Sequence, residues 1–424
     1  MKYSFPYRYR VLIFICSLTT LTYLDRVCIS IVGVRVKADL GLNNDQFGWV
    51  LGSFALAYAL FEIPSGAWGD HIGPRAVFIR IVLWWSLFTA VTGLVNGFLV
   101  LLLVRFLFGM GESGVMPNSV LAISRWFPAD ETGRALPWMG IGTQIGAAIA
   151  PLIILPLAVA YGWRVPFFVN GAIGIFWVLI CLIWFKNFPG EMKNISQKEL
   201  NLIETNRRYN AGHQLIGWRF IFGSRTLWAL MLMYFCFQWA NYFFVAWMPV
   251  YLQEHRHFSE LQTQPIIFWV FLVGIIGLLV GGFCIDWTAK KLGLFLGRRI
   301  IGMCGIGACG ISVFVAGFTR DPWVSAISLV AANFFYSFGV MSPFAVCSDI
   351  GRNNAGTVTG AMNFSGQMGA FFLAIVFGKI VNLTHDFSIP LYLIAIAQLI
   401  GFLLWFLIDP RKQLAMEETQ KLAS

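Results

Sequence analysis

Charge is what this sequence has least of. Only 12% of its 424 residues are Asp, Glu, Lys or Arg, while 58% are hydrophobic. A soluble domain carries about 25% charge, so a soluble globular protein is excluded. The eight cysteines, at positions 16, 28, 181, 236, 284, 304, 309 and 347, form no C-x-x-C pair and fall in apolar runs. That pattern argues for packing over metal binding or redox chemistry. The five histidines, His71, His213, His255, His257 and His385, fall in loops or at the ends of apolar runs, which excludes a histidine proton relay across a membrane. There is no H-E-x-x-H, no clustered Cys/His and no Gly-rich phosphate loop with its lysine, so the sequence offers nothing to the common membrane-embedded enzymes. The longest polar stretch is under about 45 residues, too short for the soluble output domain of a sensor.

Long apolar runs are what the sequence does have. A spanning helix needs ~20 mostly apolar residues at about 1.5 Å rise each. Twelve such runs lie near 9–36, 46–68, 75–96, 98–124, 135–159, 164–186, 225–252, 262–285, 299–318, 322–346, 355–381 and 388–408. The first is too long for a signal-peptide core and lacks a small-residue cleavage site, so it is expected to stay as a helix. With the N-terminus cytoplasmic, 22 of the 30 Lys and Arg fall in inside segments and six outside, leaving Arg26 and Arg105 within spans. That bias predicts both termini inside, in a bacterial inner membrane or a plasma membrane. The net charge of +10 is then mostly an insertion signal facing anionic lipid; no basic patch interleaved with aromatics points to nucleic acid.

The polar stretch between Lys186 and Arg225 divides the helices six and six. It predicts an N-terminal bundle over 1–186, a cytoplasmic linker over 187–224 and a C-terminal bundle with a short tail over 225–424. Ser196 with Glu199 three residues later reads as the N-cap of a short amphipathic linker helix, "SQKELNLIETNRR". The halves echo each other: Gly66 and Asp70 in "GAWGDHIGPR" after helix 2 match Gly282 and Asp286 in "GGFCIDWTAKKLG" after helix 8. The expected fold is an all-α polytopic membrane protein, twelve transmembrane helices in two pseudo-symmetric six-helix bundles. In such parallel repeats the substrate site lies near mid-bilayer at the repeat interface.

"GAWGDHIGPR", Gly66 to Arg75, resembles the loop 2–3 signature of the major facilitator superfamily, G-x-x-x-D-x-x-G-x-R. Its glycines let helix ends approach closely, and Asp70 can accept from a helix N-terminus and pair with a basic residue such as Arg125. "RFLFGMGESGVMPNSVLAISRWFPADETGRA", Arg105 to Ala135, with "YLDR" of helix 1 and "YALFEIPSGAWGD" of helix 2, is similar to the anion:cation symporter family. That group holds bacterial sugar-acid transporters and the animal phosphate, sialic acid and vesicular glutamate carriers.

Five ionisable residues lie deep in apolar runs: Asp25, Arg26, Glu62, Arg105 and Glu112. Each costs about 2.5–3.5 kcal/mol or more at a helix centre, so function is the default reading. The arginines are permanent cations whose planar fork suits a carboxylate. Asp25 and Glu112 are natural internal counter-ions, Glu112 being seven residues after Arg105 on nearly the same helical face. An anionic substrate that takes the arginines strands those acids in a dry pocket, where the charged form is costly, and they bind protons. The alternative is a static ion pair that stabilises helix packing.

The resemblance assigns matching parts. It implies that Asp25 and Glu112 are protonation sites, that Arg26 and Tyr58 reach substrate, and that Arg105 supports the pocket or Glu112. Glu62, four residues after Tyr58 on the same face, is expected in gating, structure or coupling. The C-terminal half offers Gln238, Asn241, Tyr242, Ser337, Ser342, Asn363 and Ser365; of these, Gln238, Ser342 and Asn363 fall where related sugar-acid carriers contact hydroxyls. Gln144 in "GIGTQIGAAIAP" is a further polar candidate, and Asp70, Arg75, Arg125 and Asp286 are expected at cytoplasmic gates. One departure from the family is that helix 7 holds no arginine or lysine where the vesicular glutamate branch carries a cation, which favours a monoanion. The expected function is proton-coupled import of an organic anion, an aldonate, hexuronate or aldarate, by a monomer with no cofactor beyond its coupling protons. The rival is a carrier or exporter of a di- or tricarboxylate or larger polycarboxylate; a membrane-embedded enzyme or a sensor ranks last.

Overall fold

The computed structural model describes residues 5–192, 194–205, 223–351 and 355–411, and among these there are helices and turns but no strand. Among the described residues, eleven helical elements are long and apolar enough to cross a membrane. Six precede the linker: α1 (Tyr7–Ile31), α2 (Asn44–Ile72), α3 (Pro74–Thr92), α4 (Phe98–Trp126), α5 (Pro137–Tyr161) and α6 (Val165–Trp184). The seventh is α7 (Arg225–His255), and the eighth, Glu260–Phe318, runs for 59 residues. At 1.5 Å per residue that is about 88 Å, close to three hydrocarbon thicknesses. The chain reverses within it at Gly293, whose φ of 80° lies where only glycine sits without strain. The Thr288 hydroxyl donates to the Gly297 carbonyl across that turn at 3.2 Å. Counting the arms separately, as α8 (260–292) and α9 (294–318), gives twelve spans with α10 (Pro322–Gly351), α11 (Ala355–Thr384) and α12 (Ser388–Leu407). The helix therefore continues through the stretch that hydropathy leaves as a loop after residue 285, carrying Asp286, Lys290 and Lys291 with it.

The chain forms two compact units, Met1–Val36 with Leu56–Ala211 and Lys37–Ala55 with Gly212–Ser424. In the first, α1 packs on α5 and α3 on both α4 and α6; in the second, α7 packs on α11 and α9 on α12, with α10 against the α8–α9 hairpin. That recurrence is the internal repeat expressed in packing. Glycine makes the closest approaches possible: a β-carbon at Gly146 of α5 would lie 2.2 Å from the Thr20 carbonyl oxygen of α1, and one at Gly369 of α11 would lie 2.3 Å from the Phe235 carbonyl oxygen of α7. With lipid as apolar as leucine, helix association rests on such contact and on interhelical hydrogen bonds. The outward faces are apolar as a lipid environment requires, with Ile183 82%, Leu99 73%, Phe283 72% and Phe318 71% exposed.

The N-terminal part of α2, up to Ala55, belongs to the second unit. Lys37, in the short helix Gly33–Leu40, binds Glu254 of α7 at 2.6 Å, and the Tyr242 hydroxyl donates to the Leu51 carbonyl at 2.5 Å. Burial lowers the Lys37 pKa below its usual value despite the attraction of Glu254. Here α7 is wound as π-helix over Phe243–Trp247 and Tyr251–His255. Most of the Gly66–Arg75 signature is helical, and the turn is confined to Gly73, at φ 83°. The linker helix spans Gln197–Thr205, with the Ser196 hydroxyl accepting from the Glu199 amide at 3.2 Å; the rest of "SQKELNLIETNRR" lies outside the described residues. The Glu199 carboxylate accepts instead from the Tyr7 and Arg8 amides at 3.1 and 3.0 Å, capping α1.

Candidate functional site

Residues adjacent on a helix point about 100° apart, and Asp25 and Arg26 accordingly enter different surroundings. Arg26 faces α2 and α4. Its Nε donates to Glu112 Oε1 at 2.9 Å, and Nη2 donates to the same oxygen. Glu112 is fully buried and Arg26 is 8% exposed. The guanidinium lies over the rings of Tyr23, at 4.7 Å, and Tyr58, at 5.1 Å, a position that adds cation–π attraction in a desolvated place. The second oxygen of Glu112, Oε2, is buried without a hydrogen-bond partner.

Asp25 faces the interior of its own bundle. Its Oδ2 accepts from the indole Nε1 of Trp85 on α3 at 3.1 Å, while Oδ1 is buried with no hydrogen-bond partner. Arg105 is buried on α4 with its guanidinium 4.4 Å from the Phe108 ring, and its charge acts on both Asp25 and Glu112. The structure thus brings four of the five expected intramembrane charges into one electrostatic cluster within the first unit. Arg26 finds its hydrogen-bonded counter-ion across helices, on α4.

The remaining candidates are more scattered. Tyr58 is buried beside Arg26; Glu62, one turn along, is half-buried and acts electrostatically on Tyr58. Gln144 is half-buried on α5. In the second unit Gln238 is buried and accepts from the Tyr336 hydroxyl at 2.8 Å, and Tyr336 stacks on Phe237 at 4.4 Å. Asn363 is half-buried on α11. The fully buried Ser342 donates to the Arg298 carbonyl at 2.5 Å, so its hydroxyl ties α10 to α9.

Of the residues that the sequence marks as gate candidates, Asp70 and Asp286 are exposed. The Arg75 amide donates to the Asn187 side chain at 2.9 Å and its Nη2 to the Leu182 carbonyl at 2.6 Å. Arg125 lies 4.7 Å from the Phe188 ring. Among the described residues no group of three or more His, Cys, Asp or Glu side chains is placed to hold a metal ion.

Sequence reasoning passed over Trp85, Asn118 and Asn170. Asn118 of α4 donates to the Ser65 and Gly114 carbonyls at 3.1 and 2.8 Å, and a β-carbon at Gly69 would strike its side-chain oxygen. That contact accounts by packing within the unit for Gly69, a glycine at a position the signature leaves open. Asn170 stands alone in the apolar run "VPFFVNGAIGIF". A solitary amide in such a run is the signal that could have marked it, because burying it without partners is costly.

The family model described as Major Facilitator Superfamily matches residues 15–374. Over 420 residues the chain is 30% identical to the probable sulfoacetate transporter SauU of Cupriavidus necator, covering 97% of this chain and 96% of that one. It is 29% identical to the probable L-galactonate transporter of Escherichia coli (92% and 88% covered) and 29% identical to the hexuronate transporter of Bacillus subtilis (89% of each). Among solved structures, a bacterial homolog of the human lysosomal transporter Spinster superposes with a TM-score of 0.75 at 19% identity, over 97% of this chain and 98% of that one. At that identity the likeness speaks for the fold alone.

Proposed function

Since the chain belongs to the Major Facilitator Superfamily, and is therefore an integral, multi-pass membrane protein, we propose that it is a proton-coupled symporter of a small organic anion, a sugar acid such as an aldonate, hexuronate or aldarate, working by alternating access. The observation that carries the reading is the buried Arg26–Glu112 pair beside Asp25. A permanent cation held by an internal carboxylate is a site that another carboxylate can take over. When a substrate carboxylate occupies the Arg26 fork, Glu112 loses its hydrogen bonds in a place without water and becomes neutral by binding a proton. Release of the anion returns Glu112 to Arg26 and frees the proton, so the two fluxes are linked. Tyr58 and Tyr23 orient the guanidinium. Gln144, on α5 of the same unit, is assigned to a substrate hydroxyl.

The relatives named for galactonate, hexuronate and galactarate/glucarate support the sugar-acid class. The relative named for sulfoacetate favours a second reading, a short dianion without hydroxyls, in which Arg26 and Arg105 divide the two charges. The excess of Lys and Arg in inside segments supports cytoplasmic termini in a bacterial inner membrane or plasma membrane, and the protein is taken to work as a monomer, in transport rather than catalysis.

The test has two stages. Thermal shifts of detergent-purified protein are measured against sugar acids, sulfoacetate and di- and tricarboxylates, with Arg26→Ala alongside. A true ligand raises the melting temperature with concentration, as mass action requires, and fails to do so in Arg26→Ala. Uptake into proteoliposomes under an imposed pH gradient then follows. Accumulation that survives in Glu112→Gln would remove Glu112 from coupling, and equal shifts in Arg26→Ala would remove Arg26 from the site.

A further inference from the structure

Asp25 presents its carboxyl toward α3 and α6, and the polar atoms there are unusual. Asn170 of α6 is fully buried, and neither its Nδ2 nor its Oδ1 has a hydrogen-bond partner. The amide stands next to the Asp25 carboxyl, near enough to act on it but outside hydrogen-bonding geometry. Asp25 Oδ1 is buried and lacks a partner too. One turn along α6, a β-carbon at Gly174 would lie 2.0 Å from the Ser86 hydroxyl oxygen, so Ser86 of α3 faces the same side of α6; its hydroxyl is buried and unpartnered as well. Buried polar atoms are nearly always paired, and orphans clustered at one place call for an explanation. The titratable and charged groups facing Asp25 are Arg105 and Glu112 from α4 and Cys28 on its own helix. The Trp85 indole already occupies Oδ2.

We infer that Asn170 is a positioning residue for the Asp25 proton, taking up a hydrogen bond with Oδ1 in both charge states. A carboxylate Oδ1 only accepts, and a protonated Oδ1 donates. A primary amide is the neutral group that serves both, offering Nδ2–H to the carboxylate and Oδ1 to the acid after a half-turn of its plane. Trp85, a donor only, holds the other oxygen and does not change role. The proton on Asp25 is thus presented between α3 and α6, on the bundle side of α1, while Arg26 and Glu112 lie on the side toward α2 and α4. The inference rests on the proton-coupled reading proposed above, with Asp25 as a second protonation site beside Glu112, the role the family resemblance implies.

The experiment compares Asn170→Leu, Asn170→Ser, Ser86→Ala and Asp25→Asn in proteoliposomes, using the sugar acid or dianion that stabilises the purified protein as probe. Leucine keeps the branched shape of Asn170 with somewhat larger ends and removes only groups that have no partner, so the variant is expected to fold, with a melting temperature near that of the parent. In Asn170→Leu the rate of uptake driven by a pH gradient should fall about tenfold or more, while KM and substrate counterflow at equal pH stay within about twofold. Asn170→Ser, which keeps a donor and an acceptor, should recover part of the loss, and Ser86→Ala should show a smaller one. Gradient-driven uptake at the parental rate in both Asn170 variants overturns the inference, as does an equal loss of counterflow in Asn170→Leu. Gradient-driven accumulation that persists in Asp25→Asn overturns the coupling role of Asp25 itself, and that result is read independently of Asn170.

Discussion

Replacing Arg26 and Glu112 by leucine, singly and together, puts a number on the pair at the centre of the site. Glu112 is fully buried and Arg26 nearly so, joined through one carboxylate oxygen at 2.9 Å. Removing one partner from a buried pair leaves an uncompensated charge and costs about 3–5 kcal/mol. The two single variants should not be equal. Glu112→Leu strands a guanidinium that cannot shed its proton, whereas Arg26→Leu strands a carboxyl that can become neutral, so Glu112→Leu should be the more damaging. In the double variant neither member of the pair is stranded and Arg105 keeps Asp25 as its counter-charge, so the loss falls toward that of the ring contacts with Tyr23 and Tyr58, about 0.5–2 kcal/mol. The assay is equilibrium unfolding in mixed detergent–SDS micelles, read as a double-mutant cycle. A Glu112→Leu cost below about 1 kcal/mol, the range of a solvated surface pair, would refute the picture of a desolvated pair. So would a double variant as unstable as the sum of the singles.

Trp85→Phe removes the indole that donates to Asp25 Oδ2 at 3.1 Å and should lower stability by about 1–3 kcal/mol; the same change in an Asp25→Leu background should cost clearly less, measured by the same unfolding. Gly146→Ala places a methyl 2.2 Å from the Thr20 carbonyl oxygen; α1 and α5 must separate, at about 1–3 kcal/mol, read as a lower melting temperature and a smaller folded fraction in size-exclusion chromatography. Lys37 has a folded pKa below its ordinary value of 10.5 because burial outweighs Glu254. Between the two values the unfolded chain holds more protons, so stability rises with pH there. A melting-temperature series against pH should show that rise in the wild type and lose it in Lys37→Met.

Hydropathy alone located the spans because lipid imposes length and apolarity on every one of them, and those constraints are local. The ends were less visible. The signature Gly66–Arg75 reads as a loop, yet helix continues through it to Ile72 and the turn is carried by Gly73; likewise α8 runs on to Gly293 through Asp286, Lys290 and Lys291. Polar residues at a helix end facing water cost nothing, so polarity did not mark where the helix stopped. Ser342 shows the limit from the other side: a hydroxyl in a span can serve a ligand or a neighbouring backbone, and here it is given to the Arg298 carbonyl.

The sequence by itself determined that charges are buried in the first half, which ones they are, and that two of them are permanent cations, because residue chemistry and depth in an apolar run need no partner to be known. The order of helices followed from the same local signals. Only the tertiary structure decided the pairing. Asp25 and Arg26 are neighbours in the chain, but the helical rotation between them sends one to Trp85 and Asn170 and the other to Tyr58 and Glu112. Which residue meets which depends on how helices far apart in sequence pack, and packing in a membrane is set by close contact between surfaces that composition does not reveal.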